Sequence, residues 1–223
     1  MGIKLITPPA TEPVTLAEAK LQCKVDVDLT ADDWLLMSYI TGARQRAESI
    51  TRRALVSQQW KITGDRFPSP MAGRLTEYWL GQQWGMAGMS GVSQFLPTDR
   101  SGYGIVLPFP PLVSVDSINY IDPAGAQQTM PSGDYKVDST TEPARIVPAY
   151  GKSWPGTRQE IGAVEITFTC GYGAIGDVPR AIKNWILLQV DHAYRYRGTM
   201  VEVQGKLEAI PDHLLDDYRV VTF

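Results

Sequence analysis

Cysteine and histidine are nearly absent from this chain, with two of each in 223 residues. Cys23 and Cys170 have no CxxC partner, and His192 and His213 belong to no HExxH or similar pattern, which argues against both a disulfide framework and a zinc site. A reducing compartment fits that usage. A basic excess is missing too: Lys+Arg 21 against Asp+Glu 24 gives a net charge of -3, so phosphate-gripping contacts are few and any meeting with DNA is passing and without specific binding. No segment approaches the roughly 18 apolar residues of a membrane span. The opening MGIKLITPPATEP holds Pro8, Pro9 and Pro13 and no apolar run of signal-peptide length. The expectation is a globular protein made and used without crossing a membrane. No GxSxG elbow and no Cys–His signature occurs, so no catalytic residue, metal ligand or cofactor is assigned.

What the chain does have is a hydrophobic period that changes and then changes back. Thr15-Leu16-Ala17-Glu18 is a capping-box pattern, in which hydroxyl and carboxylate satisfy each other's free backbone N–H groups, and it predicts a short helix ending near Lys24. Thr30-Ala31-Asp32-Asp33 is a second start, with acids at the positive end of the helix dipole. Leu36, Ile40, Ala43, Ala47, Ile50 and Ala54 follow in steps of four and three, one stripe of a long helix with small residues suited to close packing. The opposite face carries Arg44, Arg46, Glu48, Arg52 and Arg53, either a solvated face or a subunit contact.

From Gln58 the pattern favours strands over 58–62, 104–107, 113–121, 135–138, 145–147 and 164–170, an antiparallel sheet or small barrel. Asp122-Pro123-Ala124-Gly125 closes a hairpin onto 127–130. The Gly-rich stretch 81–91 lacks core periodicity yet holds Trp84, Met86 and Met89. It reads as a loop tip or an adaptable contact surface, the latter being favoured. Helical period returns at Pro179 and runs to about Arg197, with Ile182, Ile186, Val190 and Ala193 on one face and Trp185 and Gln189 beside it. After a polar stretch, a short helix over 212–218 releases an extended tail, either pinned to its own domain or offered to a neighbour. The predicted class is α+β: a helical core from 1–57 and 178–223 with a β-rich domain, 58–177, inserted between them.

One motif competes with that reading. Gly171-Tyr172-Gly173-Ala174-Ile175-Gly176 is a literal GxGxxG between a strand and a helix, with Asp191 downstream, and makes a nucleotide-binding enzyme the alternative. A dinucleotide site, however, needs its acid at the end of a second parallel strand, and Asp191 falls inside a predicted helix. The preceding strand also alternates, Val164, Ile166, Phe168 and Cys170 against Glu165, Thr167 and Thr169, as a half-exposed antiparallel strand does. The favoured reading is a Gly-rich turn. Acid pairs Asp32-Asp33 and Asp216-Asp217 read as helix-start or solvated charges.

Several segments together resemble a known family: residues 13–20 (PVTLAEAK), 51–55 (TRRAL) with Trp60, 107–115 (LPFPPLVSV), 134–138 (DYKVD), 142–154 with its PAYGKSW, 168–173 (FTCGYG), 178–194, and the closing Tyr218-Arg219-Val220. They are similar to the head-tail connector, or adaptor, proteins of long-tailed bacteriophages and gene transfer agents. The resemblance spans nearly the whole chain, each piece a structural signature and none catalytic. It implies a non-enzymatic virion protein of the neck, assembled in the host cytoplasm. There it would form a ring homo-oligomer, a dodecamer, attached beneath the portal protein, extending the DNA channel and docking a downstream neck or tail-terminator protein. It also directs the C-terminal region toward the portal, so Tyr218, Arg219, Val220, Val221, Thr222 and Phe223 are the expected portal contacts; Trp84, Met86 and Met89, apolar side chains on the Gly-rich stretch where the family pattern is weakest, are the expected neck or tail contacts. Removal of 218–223 is expected to spare the fold and abolish attachment. Another tail-completion interaction module is the remaining alternative.

Overall fold

The computed structural model describes residues 2–68, 96–97, 103–196, 201–203, 206–208 and 212–220. Two compact units share the chain: Met1–Pro8 with Gln58–Cys170, and Pro9–Ser57 with Gly171–Phe223.

The first unit is built on strands. Its five-stranded antiparallel sheet has the order β1 (Gly2–Thr7), β2 (Gln58–Gly64), β8 (Val164–Cys170), β4 (Leu112–Ile121) and β5 (Gln127–Thr129). A second sheet joins β3 (Ile105–Val106), β7 (Arg145–Pro148) and β6 (Tyr135–Asp138). Central β8 buries every second residue, Val164, Ile166, Phe168 and Cys170, as its alternation predicts for an antiparallel strand with one face dry. Rows of paired residues cross the sheet on that face, Ile62, Ile166 and Ile118 in one row and Trp60, Phe168 and Val115 in the next. The predicted hairpin forms: Gly125 takes φ +90, the Asp122 N–H donates to the Ala126 carbonyl, and β5 pairs with the end of β4. The Asp122 carboxyl is held below its usual range, chiefly by accepting from the Ala126 N–H. Trp154 stacks on Phe67 at 4.9 Å and donates its indole N–H to the Tyr103 carbonyl, anchoring the 149–163 connection.

The second unit is helical: α1 (Leu16–Cys23), α2 (Asp33–Thr51) and α3 (Arg180–Tyr196), with a 3-10 turn over Asp212–Tyr218 and a strand pair, β9 (Val201–Val203) and β10 (Lys206–Glu208). Both capping-box bonds of α1 form between Thr15 and Glu18, and Lys24 closes the helix in the left-handed conformation. Leu36, Ile40, Ala43 and Ala47 of α2 are buried with Ile182, Trp185, Ile186 and Val190 of α3, so the two predicted stripes share one core, to which Val14, Ala19, Cys23 and Leu215 contribute.

Four local expectations need correction. Residues 2–7, expected within a Pro-rich arm of the helical part, run as β1 along the sheet edge, which ends where Pro8 and Pro9 remove ladder donors. Arg44, expected on a charged outer face, is buried and saturated by carboxylates. Thr30, expected to open the second helix, lies before it: α2 begins at Asp33 with Asp32 at the N-cap position, and the Asp32 carboxylate accepts from the Tyr194 hydroxyl at 2.7 Å. The stretch after α3, read as merely polar, contains β9 and β10.

Candidate interaction surfaces

The Gly171–Gly176 motif is the one feature that suggested catalysis, and its geometry is that of a turn. Gly171 has φ +123, and a Cβ there would lie 2.4 Å from the Val56 carbonyl oxygen, so only glycine fits. Gly173 has φ +102. A 3-10 turn over Ile175–Asp177 then intervenes, stabilised by the Ala174 N–H donating to the Asp177 carboxylate, and α3 begins only at Arg180. The glycines therefore do not deliver a helix N-terminus to a ligand as a dinucleotide fingerprint requires. Asp191 lies within α3 and pairs with Arg195 at 2.8 Å. His192 stands beside Tyr196 on the same helix, and His213 is exposed on the 3-10 turn. Among the described residues no group of three or more His, Cys, Asp or Glu could hold a metal ion, and no helix is long and apolar enough to cross a membrane.

Charged side chains in the helical unit act as internal struts. Arg44 donates from Nε to Glu12 and from a terminal nitrogen to Glu48, both at 2.7 Å, while Thr41 donates to the other Glu12 oxygen and Glu48 accepts from the Leu55 N–H. This network fastens the segment before α1 to α2 and to the chain beyond α2. Lys20, also buried, pairs with Asp33 at 2.6 Å and donates to the carbonyls of Val27 and Leu29. It holds the α1–α2 connection while leaving Val27, Leu29 and Trp34 exposed, Trp34 to 80%. Cys23 is shielded by burial, which pushes its thiol up to about 11 with Asp191 adding to the effect.

The predicted contact residues divide. Trp84, Met86 and Met89 lie outside the described residues, as do Val221, Thr222 and Phe223. Tyr218 packs against the helical core, its carbonyl accepting from Arg53, and Val220 is buried with its N–H donating to the Thr51 carbonyl. Only Arg219, paired with Asp216, is exposed among the described three. The segment 218–220 is thus pinned to its own unit, contrary to the expectation that it lies outside the helical packing.

Sequence reasoning missed a further surface, the outer edge of β1, where all six residues are exposed and Ile3, Leu5 and Ile6 are 41%, 37% and 42% accessible. The signal was present as the β-prone run IKLIT, obscured by the prolines that follow it.

No family model and no curated protein matches the chain. Solved structures do. A chain from the neck of an empty GTA particle, computed with C6 symmetry, is similar at 20% identity and a TM-score of 0.69, over 100% of this chain and 97% of that one. A chain from the virion of the native gene transfer agent particle gives 20% identity and 0.67, with the same coverage. One from the native GTA neck, computed with C12 symmetry, gives 19% identity and 0.61, again over 100% and 97%. The fold of this protein, both units included, is the fold of those chains.

Proposed function

We propose that this protein is a structural head-tail connector of a tailed phage or related particle. In this reading it forms a ring beneath the portal, extends the channel through which DNA passes and docks the next neck or tail protein. The observation that carries the proposal is the end-to-end likeness to neck chains of GTA particles, 100% of this chain against 97% of the other at a TM-score of 0.69. The symmetric necks of those particles support a ring homo-oligomer, with twelve copies the expected number. The balance of 21 basic and 24 acidic residues suits a channel that lets phosphates slide.

Within this reading Tyr218, Arg219, Val220, Val221, Thr222 and Phe223 remain the proposed portal contacts. Tyr218 and Val220 pin the segment to the helical unit, and Arg219 is the exposed side chain among the described three. Trp84, Met86 and Met89 remain the proposed contact to the downstream protein. The test is electron microscopy of the purified chain, alone and mixed with the portal protein encoded with it. Rings coaxial with the portal are expected. A monomer that ignores the portal, or a nucleotide-dependent hydrolytic activity lost on Gly173→Val, would overturn the reading.

A further inference from the structure

Among the described residues, no strand pairs with the outer edge of β1 at one border of the five-stranded sheet or with a stretch of matching length at the other. On one border β1 presents its whole outer edge. On the other, β5 covers β4 only at Asn119, Tyr120 and Ile121, with one further bond from the Met130 N–H to the Ile118 carbonyl. Residues 112–117 of β4 therefore have no described strand on their outer side, and Val113, Ser114 and Asp116 are exposed, the Asp116 carboxylate reaching over the sheet face to Thr169 of β8 and Gln59 of β2.

The apolar rows run out at the first border. Ile3 continues the row of Ile62, Ile166 and Ile118, and Leu5 continues that of Trp60 and Phe168. Ile62, Ile166, Ile118 and Phe168 are fully buried, whereas Ile3 and Leu5 remain about two-fifths exposed for want of one more strand. Long exposed aliphatic edges are ordinarily blunted by charge, proline or bulges; β1 carries a single charge, Lys4, and one register shift between Leu5 and Thr7, and β4 shifts register between Leu112 and Ser114 and between Val115 and Ser117.

The charges nearest the two borders are opposite, and among the described residues neither has an oppositely charged partner. Lys4 has no carboxylate partner among the described residues, and its cross-strand neighbour is Lys61, a like charge. Asp116 has three neutral donors, Gln59 at 2.8 Å, Ser114 at 2.7 Å and Thr169 at 2.9 Å, and no cation among the described residues.

Resting on the ring reading above, we propose that β1 of one copy adds to the outer edge of β4, along residues 112–117, of a second copy, with Lys4 meeting Asp116 and Ile3 and Leu5 buried by the incoming strand. The two edges are different surfaces, so the contact is heterologous and can repeat around a closed ring. Pairing of β1 with a second β1 would instead bring Lys4 toward Lys4.

The test uses the full chain in its assembled form. Lys4→Cys and Asp116→Cys in one chain, treated with a short bifunctional maleimide, should give a ladder of covalent multimers on a denaturing gel. A mixture of the two single variants should give dimers only. Background is low because Cys23 and Cys170 are buried. A charge exchange supplies the second readout: Lys4→Glu and Asp116→Lys should each weaken self-association roughly ten-fold, and together restore it. Rings seen by electron microscopy without cross-linking in the double variant, or dimers from Lys4→Cys alone, would overturn this contact and leave the ring reading standing. Absence of any ring from the unmodified chain with its portal would overturn both.

Discussion

Arg53 and Tyr218, 165 positions apart, are joined by a 2.6 Å hydrogen bond from the guanidinium Nε to the backbone carbonyl. Two residues on, the Val220 N–H donates to the Thr51 carbonyl, so the C-terminal segment is latched across the end of α2. One carbonyl at that helix end, that of Thr51, thus finds its donor 169 positions along the chain, while Arg52 takes the left-handed C-cap conformation.

Deleting residues 218–223 removes this latch together with the buried Val220 side chain. The loss is expected to be roughly 2–4 kcal/mol, from about one buried aliphatic group and two hydrogen bonds. Thermal unfolding of the truncated protein checks it, an unchanged melting temperature being the adverse result. Attachment to the portal is better probed by Arg219→Glu, because that side chain is exposed and its loss should leave the melting temperature near that of the parent.

The glycines of the 171–176 motif should rank by geometry and not by motif position. Gly171→Ala is expected to cost roughly 3 kcal/mol, because φ +123 and the Val56 carbonyl both exclude a Cβ. Gly176→Ala, with nothing near its Cβ position, should stay within about 0.5 kcal/mol. NAD or ATP should leave the melting temperature unchanged, since a ligand selective for the native state would raise it. Chemical denaturation of the two variants and thermal scans with each nucleotide check the ranking and the absence of binding.

Arg44→Lys should not substitute for arginine. The guanidinium reaches Glu12 and Glu48 through different nitrogens, and a single ammonium cannot keep both bonds. Roughly 2–3 kcal/mol should be lost, and Arg44→Met should lose somewhat more by removing the cation shared by the Glu12 and Glu48 carboxylates. Urea titration of both variants reads the difference.

Two titrating groups predict opposite pH behaviour. Glu18 has its carboxyl lowered, first by the Thr15 backbone N–H it accepts, so its share of stability is present above the ordinary carboxylate range and is lost on acidification through the lowered value. Thr15→Ala should remove about 1 kcal/mol at neutral pH and less once Glu18 is protonated. Cys23, raised to about 11 by burial, contributes below the thiol's ordinary value and loses that contribution as pH rises toward 11. The native thiol should therefore resist disulfide reagents at pH 8 until the protein unfolds.

The elements carrying long, regular signals were legible: the Thr15 and Glu18 capping box, the stripe from Leu36 to Ala47, the alternation of β8 and the Asp122 hairpin each follow from local chemistry. What escaped depended on partners far away in sequence. Arg44 looks like a surface charge until Glu12, 32 residues earlier, folds against it, and Lys20 likewise until the carbonyls of Val27 and Leu29 turn toward it. Trp185, read as flanking the α3 stripe, is fully buried because the stripe is wide enough to include positions 182, 185, 186 and 190. β1 was hidden because a strand at an open edge has a half-apolar pattern and the prolines after it suggest an arm. The candidate site was less legible than the fold, since a contact surface needs no residue types that local chemistry would single out.

The central claim is that this chain builds a ring at the neck of a particle. The most direct test is an electron cryomicroscopy map of the neck of the particle that carries it. The account predicts a closed ring of this chain seated against the portal, with both units of every copy in density and DNA passing through the ring. A neck with no ring of this chain next to the portal would contradict it.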